Sequence, residues 1–308
     1  MSVERPDGPI TYEMSVERPD GPITYEMSVE RPDGQIEYDV DFFRTHGFCV
    51  WRGLLGPAEA EGLRREVDDA LAANHDLPAT PVPHATGTEG FYVPMMGDRS
   101  PLSRELLAER LLPAAVRLLG GPVLPKPAKG ILYRDSSPWH QDSADAALTA
   151  VKMVAYLEPL TAADGALQVL PGSHRGGYGR ALAEYRHRWP AAEPLFDERA
   201  EAEMWPGVPI VTRPGDVIAF DVHLWHASIG GRDRRQWSVS YAADPADEAG
   251  RSAVRDYLLS FLSVGHPHDP DAYPYFDPEW AHPPRPAFAD RMAELLSSSP
   301  VPGRPSVR

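Results

Sequence analysis

The sequence predicts a mainly β domain with flanking helices, and three observations carry that prediction. Short apolar runs such as 151–157, 166–170 and 217–225 sit between proline- and glycine-marked turns, which is how buried strands read. Ala60, Leu63, Val67 and Leu71 recur at three- and four-residue spacing, which is the stripe of a core-facing helix. The chain has 34 prolines and 25 glycines in 308 residues, yet 42% of it is hydrophobic, so it is loop-rich and still able to bury a core.

Taken in order, residues 1–39 are three copies of one thirteen-residue unit, MSVERPDGPITYE twice and then MSVERPDGQIEYD. Units this short and polar cannot stack as a solenoid, whose repeats run to roughly 20 residues or more. A disordered tail is expected here, its third copy leading into a single domain over 40–298, with 299–308 a flexible C-terminus. From Val40 the pattern turns apolar and aromatic: a short helix over Phe42 to His46, a turn at Gly47, and a strand through Phe48-Cys49-Val50-Trp51. Pro57 opens the striped helix, a favourable first position for a residue without an amide hydrogen.

Residues 74–99 read as loop, with Phe91, Tyr92, Met95 and Met96 as apolar patches on the core or linings of a pocket. A second helix is expected over 101–112, kinked or restarted at Pro113 and ended by Gly120-Gly121. Then come a strand pair over 123–135, a buried strand at 151–157, a turn at Asp164-Gly165 and a strand over 166–170 that stops at Pro171. A helix over 180–189 and an acidic connection over 190–207 follow. A strand over 217–225 runs on into His226-Ala227-Ser228, a further strand carries 234–241, and a last helix covers 286–297. The intervening stretch 265–285 is rich in Pro, His, Tyr and Trp and is a candidate cover for a pocket mouth.

The formal net charge is −15, from 45 acidic and 30 basic residues, which argues against a nucleic-acid or anionic-membrane surface and for a small-molecule partner. No run approaches the roughly 18 apolar residues of a membrane helix, and no basic segment followed by an apolar one marks a signal peptide. The single cysteine, Cys49, lies in an apolar run and reads as a small buried hydrophobe. A cytoplasmic setting is expected.

His140 and Asp142 are two residues apart in Pro138-Trp139-His140-Gln141-Asp142, so on a strand they share a face. They would be two of the three ligands of a two-histidine, one-carboxylate site, which binds Fe(II) on one side and leaves the other open. The spacing alone specifies no metal. Period-two alternation over 217–228 puts His226 on the face of Ile218, Phe220, Val222 and Leu224, and His223 on the other. An imidazole among apolar side chains needs a reason for its burial, and metal ligation is one; core hydrogen bonding is another. Ser228 shares that face. Arg234 or Arg235, on the next strand, is placed to hold a dicarboxylate. His266-Pro267-His268 has ligand-like spacing in a proline-rich loop, and His174 reads as the brace of a turn.

Together these residues resemble the phytanoyl-CoA dioxygenase family of Fe(II)/2-oxoglutarate oxygenases. FFRTHGFCVWRGLLGPAEAEGLRREVDDAL is similar to that family's N-terminal strand and helix, PWHQD to its first metal motif, DGALQVLPGSHRGG to its central strand and turn, and GDVIAFDVHLWHAS to its second metal motif. The resemblance covers roughly 40–245 and implies a double-stranded β-helix, the cupin-like jelly roll. It implies His140, Asp142 and His226 as ligands of Fe(II), with 2-oxoglutarate and O2 as co-substrates. It also implies Ser228 and a following arginine as holders of 2-oxoglutarate. The loop after His226 lacks the family's usual asparagine and is shorter. Arg234 is preferred because it stands seven residues before Tyr241; Arg235 is the alternative.

Tyr133, Trp139, Gln141 and Trp205 flank the metal motifs or a long loop and are candidate substrate contacts. The activity implied is hydroxylation, oxidative cyclisation or desaturation of a small metabolite, in keeping with natural-product biosynthesis. Asp142 fills the position that a related halogenase leaves open for halide. A metal-dependent hydrolase or isomerase, or a non-catalytic binding protein on the same barrel, would not need the arginine and serine that accompany the triad.

Overall fold

A computed structural model of the chain describes residues 12–16, 23–27, 36–77, 90–134, 136–188, 207–231 and 233–297. Within the repeats, β1 (Tyr12–Val16) and β2 (Ile23–Met27) pair antiparallel, Tyr12 opposite Met27. The rest of the repeats before Ile36, Trp205 and the expected C-terminal tail lie outside the described residues.

The domain begins with the helix Ile36–His46, which Gly47 ends at φ +84°, the left-handed region where only glycine is unstrained. β3 (Phe48–Trp51) follows, then the helix Pro57–Asn74. Gly56 offers no capping side chain, so Glu59 turns back to accept its backbone N–H at 2.7 Å. That helix buries the predicted stripe, Ala60, Leu63, Val67 and Leu71, and adds Ala70. The second helix is longer than 101–112. An α-turn over Pro101–Glu105 passes into a π-turn over Leu106–Leu111 and returns to α over Leu112–Leu119. Pro113 has no amide to close the ordinary ladder, and the wider turn just before it absorbs the mismatch.

Two antiparallel sheets face each other. One has six strands in the order β3, β10 (Val217–Asp221), β7 (Ala150–Tyr156), β12 (Arg234–Ala243), β5 (Val123–Tyr133) and β4 (Gly90–Pro94). The other has four, in the order β6 (Ser137–His140), β11 (His226–Ser228), β8 (Leu167–Val169) and β9 (Val208–Ile210). This is the jelly roll expected, with helices covering the outer face of the larger sheet.

Alternation along each strand sorts side chains between the layers. From β7, Val154 and Tyr156 pack between the sheets with Ile218, Phe220 and Val169; Met153 and Ala155 pack under the helices with Trp237, Val239 and Leu63. Trp237 Nε1 donates to Ser103 Oγ at 2.7 Å and the Tyr241 hydroxyl to Leu107 O at 2.7 Å, so the outer-facing aromatics of β12 bury no unmet donor.

Three expectations are corrected. The strand over 217–225 ends at Asp221; the chain turns through 222–225 and re-enters as β11 in the other sheet. The expected strand pair over 123–135 is the single strand β5, with an irregularity opposite Ser238 and Ser240. The helix expected over 180–189 starts earlier and spans Gly176–Arg188. Among the described residues, no helix is long and apolar enough to cross a membrane.

Candidate metal centre and co-substrate cavity

His140 ends β6 and His226 begins β11, and the two strands pair with these residues opposite each other. Their rings are 4.2 Å apart between centroids. Asp142 lies two residues beyond His140, where the chain leaves the strand, and its Oδ1 is 3.9 Å from each Nε2. One donor atom from each of the three falls within 4.8 Å of the others.

His140 Nδ1 lies 2.7 Å from Pro138 O, and His226 Nδ1 lies 2.8 Å from Leu224 O. A carbonyl can only accept, so both Nδ1 atoms carry the proton and both Nε2 atoms present a lone pair to the cluster. Burial, then the neighbouring His140, pulls His226 down to about 3 against the opposing pull of Asp142, so it stays neutral, as a ligand must. Burial pushes Asp142 up, but Lys152 and then the two imidazoles outweigh it and hold the carboxyl well below the usual range. Lys152 Nζ reaches Asp142 Oδ2 at 3.1 Å from β7, in the opposite sheet. Two imidazoles with Nε2 turned inward and one carboxylate, crowded and aimed at one point, fit a hard-to-borderline divalent ion such as Fe(II). The His140 side chain is 42% exposed and that of His226 is 4% exposed, so the cluster opens on the His140 side.

The cluster lines a cavity of about 330 Å³, within the range of ligand pockets. Ser228 and Arg234 line it too. Arg234 is 1% exposed; its Nη1 donates to Gly165 O at 3.2 Å and its guanidinium lies 5.4 Å from the Tyr133 ring. Gly165 adopts φ +83°, and a Cβ there would meet the Gly231 backbone at 2.6 Å and Arg234 Cδ at 2.9 Å. Only glycine lets this turn close over the arginine.

Arg235 points the other way. Its guanidinium pairs with Asp68, its backbone N–H goes to Glu158 Oε1, and it does not line the cavity. The strand alternation that set Arg234, Gln236, Ser238 and Ser240 against Arg235, Trp237, Val239 and Tyr241 holds, and it turns Arg234 to the cavity.

Among the other candidates, Tyr133 lines the cavity beside Tyr92, the two rings 5.9 Å apart and perpendicular. Burial raises both hydroxyls above their ordinary range, so they remain donors. Trp139 does not line it; Trp139 is 1% exposed and packs with Leu170, Trp225 and Ile229 on the outer side of the small sheet. Gln141 does not line it either, because its amide donates to His223 O across the sheet edge. His223 itself caps the turn with Asp221 and Asp145 O. His174 Nε2 meets Arg44 O, the turn brace expected. His266 packs against the rings of Tyr92 and Phe261; neither it nor His268 belongs to the metal-binding group.

Sequence reading passed over Lys129, Lys152, Tyr156 and Gln236, all of which line the cavity. Lys152 carried a signal, a lone lysine inside Ala-Val-Lys-Met-Val-Ala-Tyr, since an ammonium in a buried strand needs a partner.

A family model for phytanoyl-CoA dioxygenase (PhyH) matches residues 43–235, more than half of the chain. The chain belongs to the phytanoyl-CoA dioxygenase family. As a member it is an enzyme, an Fe(II)- and 2-oxoglutarate-dependent oxygenase, and the histidine and aspartate cluster fits its iron. Among solved structures the fold is similar to HygX from Streptomyces hygroscopicus with nickel and 2-oxoglutarate bound, at 19% identity and TM-score 0.50 over 68% of this chain and 87% of that one. AviO1 from Streptomyces viridochromogenes Tue57 is similar at 21% identity and TM-score 0.49, over 70% of this chain and 97% of that one. EvdO2 from Micromonospora carbonacea var. aurantiaca, complexed with 2-oxoglutarate, is similar at 19% identity and TM-score 0.49, over 72% and 96%. No curated protein matches the chain.

Proposed function

We propose that this oxygenase of the phytanoyl-CoA dioxygenase family oxidises an unactivated carbon of a small metabolite, with His140, Asp142 and His226 as iron ligands and Arg234 and Ser228 as the anchor of 2-oxoglutarate. The observation that carries the reading is the meeting of the two carbonyl-oriented Nε2 atoms and Asp142 within 4.8 Å, in a cavity that Arg234 and Ser228 also line. Bound Fe(II) supplies the dioxygen chemistry, in which oxidative decarboxylation of 2-oxoglutarate to succinate and CO2 is coupled to oxidation of the substrate.

The chain's own residues do the rest. The carbonyls of Pro138 and Leu224 fix both imidazoles. Lys152 keeps Asp142 ionised and turned to the cluster. The guanidinium of Arg234 and the hydroxyl of Ser228 hold a carboxylate by charge-assisted hydrogen bonds, with Tyr133 as a further donor. Phe220, 4.8 Å from the His226 ring, excludes water from the buried side.

Hydroxylation is the simplest outcome of such chemistry, with oxidative cyclisation and desaturation as variants. HygX, which holds nickel and 2-oxoglutarate on a similar fold, supports the co-substrate assignment. The test is succinate and CO2 formation from 2-oxoglutarate with Fe(II) under air. Dependence on Fe(II), 2-oxoglutarate and oxygen together supports the reading, whereas turnover of a substrate without oxygen and without 2-oxoglutarate would make the protein a metal-dependent hydrolase or isomerase.

A further inference from the structure

A second cavity, of about 390 Å³, adjoins the first and shares Lys129, Asp142 and Lys152 with it. Its walls come from β5, β7, β12 and the helix Glu248–Val264, including Lys126, Ser240, Tyr257 and Ser260. We propose that this chamber is a subsite for an anionic group of the substrate, a carboxylate, phosphate or sulfate, held by Lys126 and Lys129 beside the metal cluster. The assignment rests on the reading of the first cavity as the metal and 2-oxoglutarate site.

A backbone irregularity aims both lysines into the chamber. Lys126 and Lys129 are three apart, so a regular strand would turn them to opposite faces. In β5 the register runs Ser238 opposite Lys129 and Ser240 opposite Lys126, so Val239 stands against both Pro127 and Ala128. That is a β-bulge, and Pro127, which has no amide for the ladder, sits in it.

Neither lysine forms an ion pair among the described residues, although Asp142, Asp145 and Asp256 line the chamber as well. The Lys129 side chain has neither a hydrogen bond nor an ion pair among the described residues; its Nζ stands 5.9 Å from the Phe261 ring. Lys126 Nζ donates to Ser260 Oγ at 2.6 Å and lies 3.9 Å over the Tyr257 ring. The nearby carboxylates are engaged elsewhere. Asp142 is paired with Lys152, Asp145 accepts from Ala147 N at 2.9 Å, and Asp256, its side chain 74% exposed, lies 3.9 Å from Arg255. Burial and then Lys152 pull Lys129 down to about 8 against the opposing pull of Asp142, and a bound anion would add to that opposing pull. In a protein of net charge −15, a buried lysine and a half-buried one facing a single chamber are a local feature that an oxyanion satisfies.

The test uses protein loaded with Ni(II) and 2-oxoglutarate, titrated with sulfate at constant ionic strength by calorimetry. Sulfate is expected to bind at one site, and Lys129→Met or Lys126→Met to weaken it by about tenfold or more, the effect of losing one charge-assisted hydrogen bond. Lys129→Arg is expected to retain it, and 2-oxoglutarate affinity to stay unchanged in Lys126→Met, whose side chain lines the second chamber and not the first. Unchanged sulfate affinity in the methionine variants overturns the proposal. So does a loss of 2-oxoglutarate affinity in Lys129→Met comparable to that in Arg234→Met, because the chamber would then belong to the co-substrate. Failure of the underlying reading looks different, since Arg234→Met would leave 2-oxoglutarate binding intact. Should neither methionine variant fold, wild-type crystals soaked in selenate decide: an anomalous peak within hydrogen-bonding distance of both Nζ atoms supports the subsite, and a peak elsewhere or none overturns it.

Discussion

Lys152 Nζ lies 3.1 Å from Asp142 Oδ2, so the carboxylate of the metal cluster is held in place by a cation from the opposite sheet. Breaking a buried ion pair by removing one partner leaves the other charge uncompensated, at a cost of about 3 kcal/mol or more. Lys152→Met is therefore expected to lower the Tm of the metal-free protein by roughly 6–12 °C. A divalent ion then takes over the neutralisation of Asp142, so Ni(II) is expected to raise the Tm of the variant by more than it raises that of the wild type. Equal shifts in scanning calorimetry would show that the pair does not compete with metal.

Arg234 and Arg235 make a matched comparison, adjacent in sequence and on opposite faces. Arg234→Met is expected to weaken 2-oxoglutarate binding on the order of 100-fold, the effect of losing two hydrogen bonds to a charged group at about 1.5 kcal/mol each. Arg235→Met leaves that affinity unchanged and removes a partly exposed pair with Asp68, worth about 1 kcal/mol or less. Titration of the Ni(II)-loaded variants with 2-oxoglutarate measures both, and reversed results would exchange the two roles.

The contrast shows what was legible in the sequence. His140 and Asp142 were readable as neighbours because each lies at or near a strand end, where local motif and alternation agree; alternation separated Arg234 from Arg235 without saying which of them faced the cavity. His226 was reached by a route the structure does not follow. Alternation was carried across 222–225, but the chain turns there and changes sheets, and His226 is buried because β11 packs beside β6 and β8. Trp139 and Gln141 were misplaced because adjacency to a ligand in sequence is adjacency on the opposite face in a strand. Lys126 and Lys129 share a face only through a bulge, and a bulge is set by pairing with a strand more than a hundred residues away.

Gly165 offers a separable test of the turn over Arg234. Gly165→Ala adds a Cβ at φ +83° within 2.6 Å of Gly231, so both backbone strain and a clash arise. At Gly53, with φ +61° and nothing within 4 Å of an added Cβ, strain acts alone, at about 1–2 kcal/mol. Chemical denaturation is expected to show a larger stability loss for Gly165→Ala than for Gly53→Ala, and only the former is expected to weaken 2-oxoglutarate binding. Equal losses would mean that the turn relaxes freely.

Glu158 gives a pH dependence. Burial raises its carboxyl to about 7, against the Arg235 backbone N–H and the charges of Arg235, Arg64 and Arg234. The folded state therefore holds a proton that the unfolded chain has released between its ordinary value of 4.5 and about 7. Where the native state binds more protons, stability falls as pH rises. This contribution is present below pH 4.5 and lost as pH climbs to about 7. Glu158→Gln is expected to flatten the decline in Tm across that window while leaving the profile above pH 8 parallel to wild type; an unaltered profile would rule Glu158 out as its source.

The bulge in β5 has a second effect, on the association of chains. β4 pairs with β5 only from Lys129 to Tyr133; Ala128 O still accepts from Met95 N at 2.9 Å, and Val123 to Pro127, buried in the fold, have no strand neighbour on that side among the described residues. Such an edge, once uncovered by local opening, recruits strands from other molecules through its amide hydrogens. Here two of the five residues from Val123 to Pro127, Pro125 and Pro127, have no amide hydrogen to offer, and the bulge bends the remaining backbone out of register for a flat partner. The segment that carries Lys126 into the interior is thus also one that resists edge-to-edge aggregation, and substitutions chosen to reshape the chamber there will act on colloidal behaviour as well.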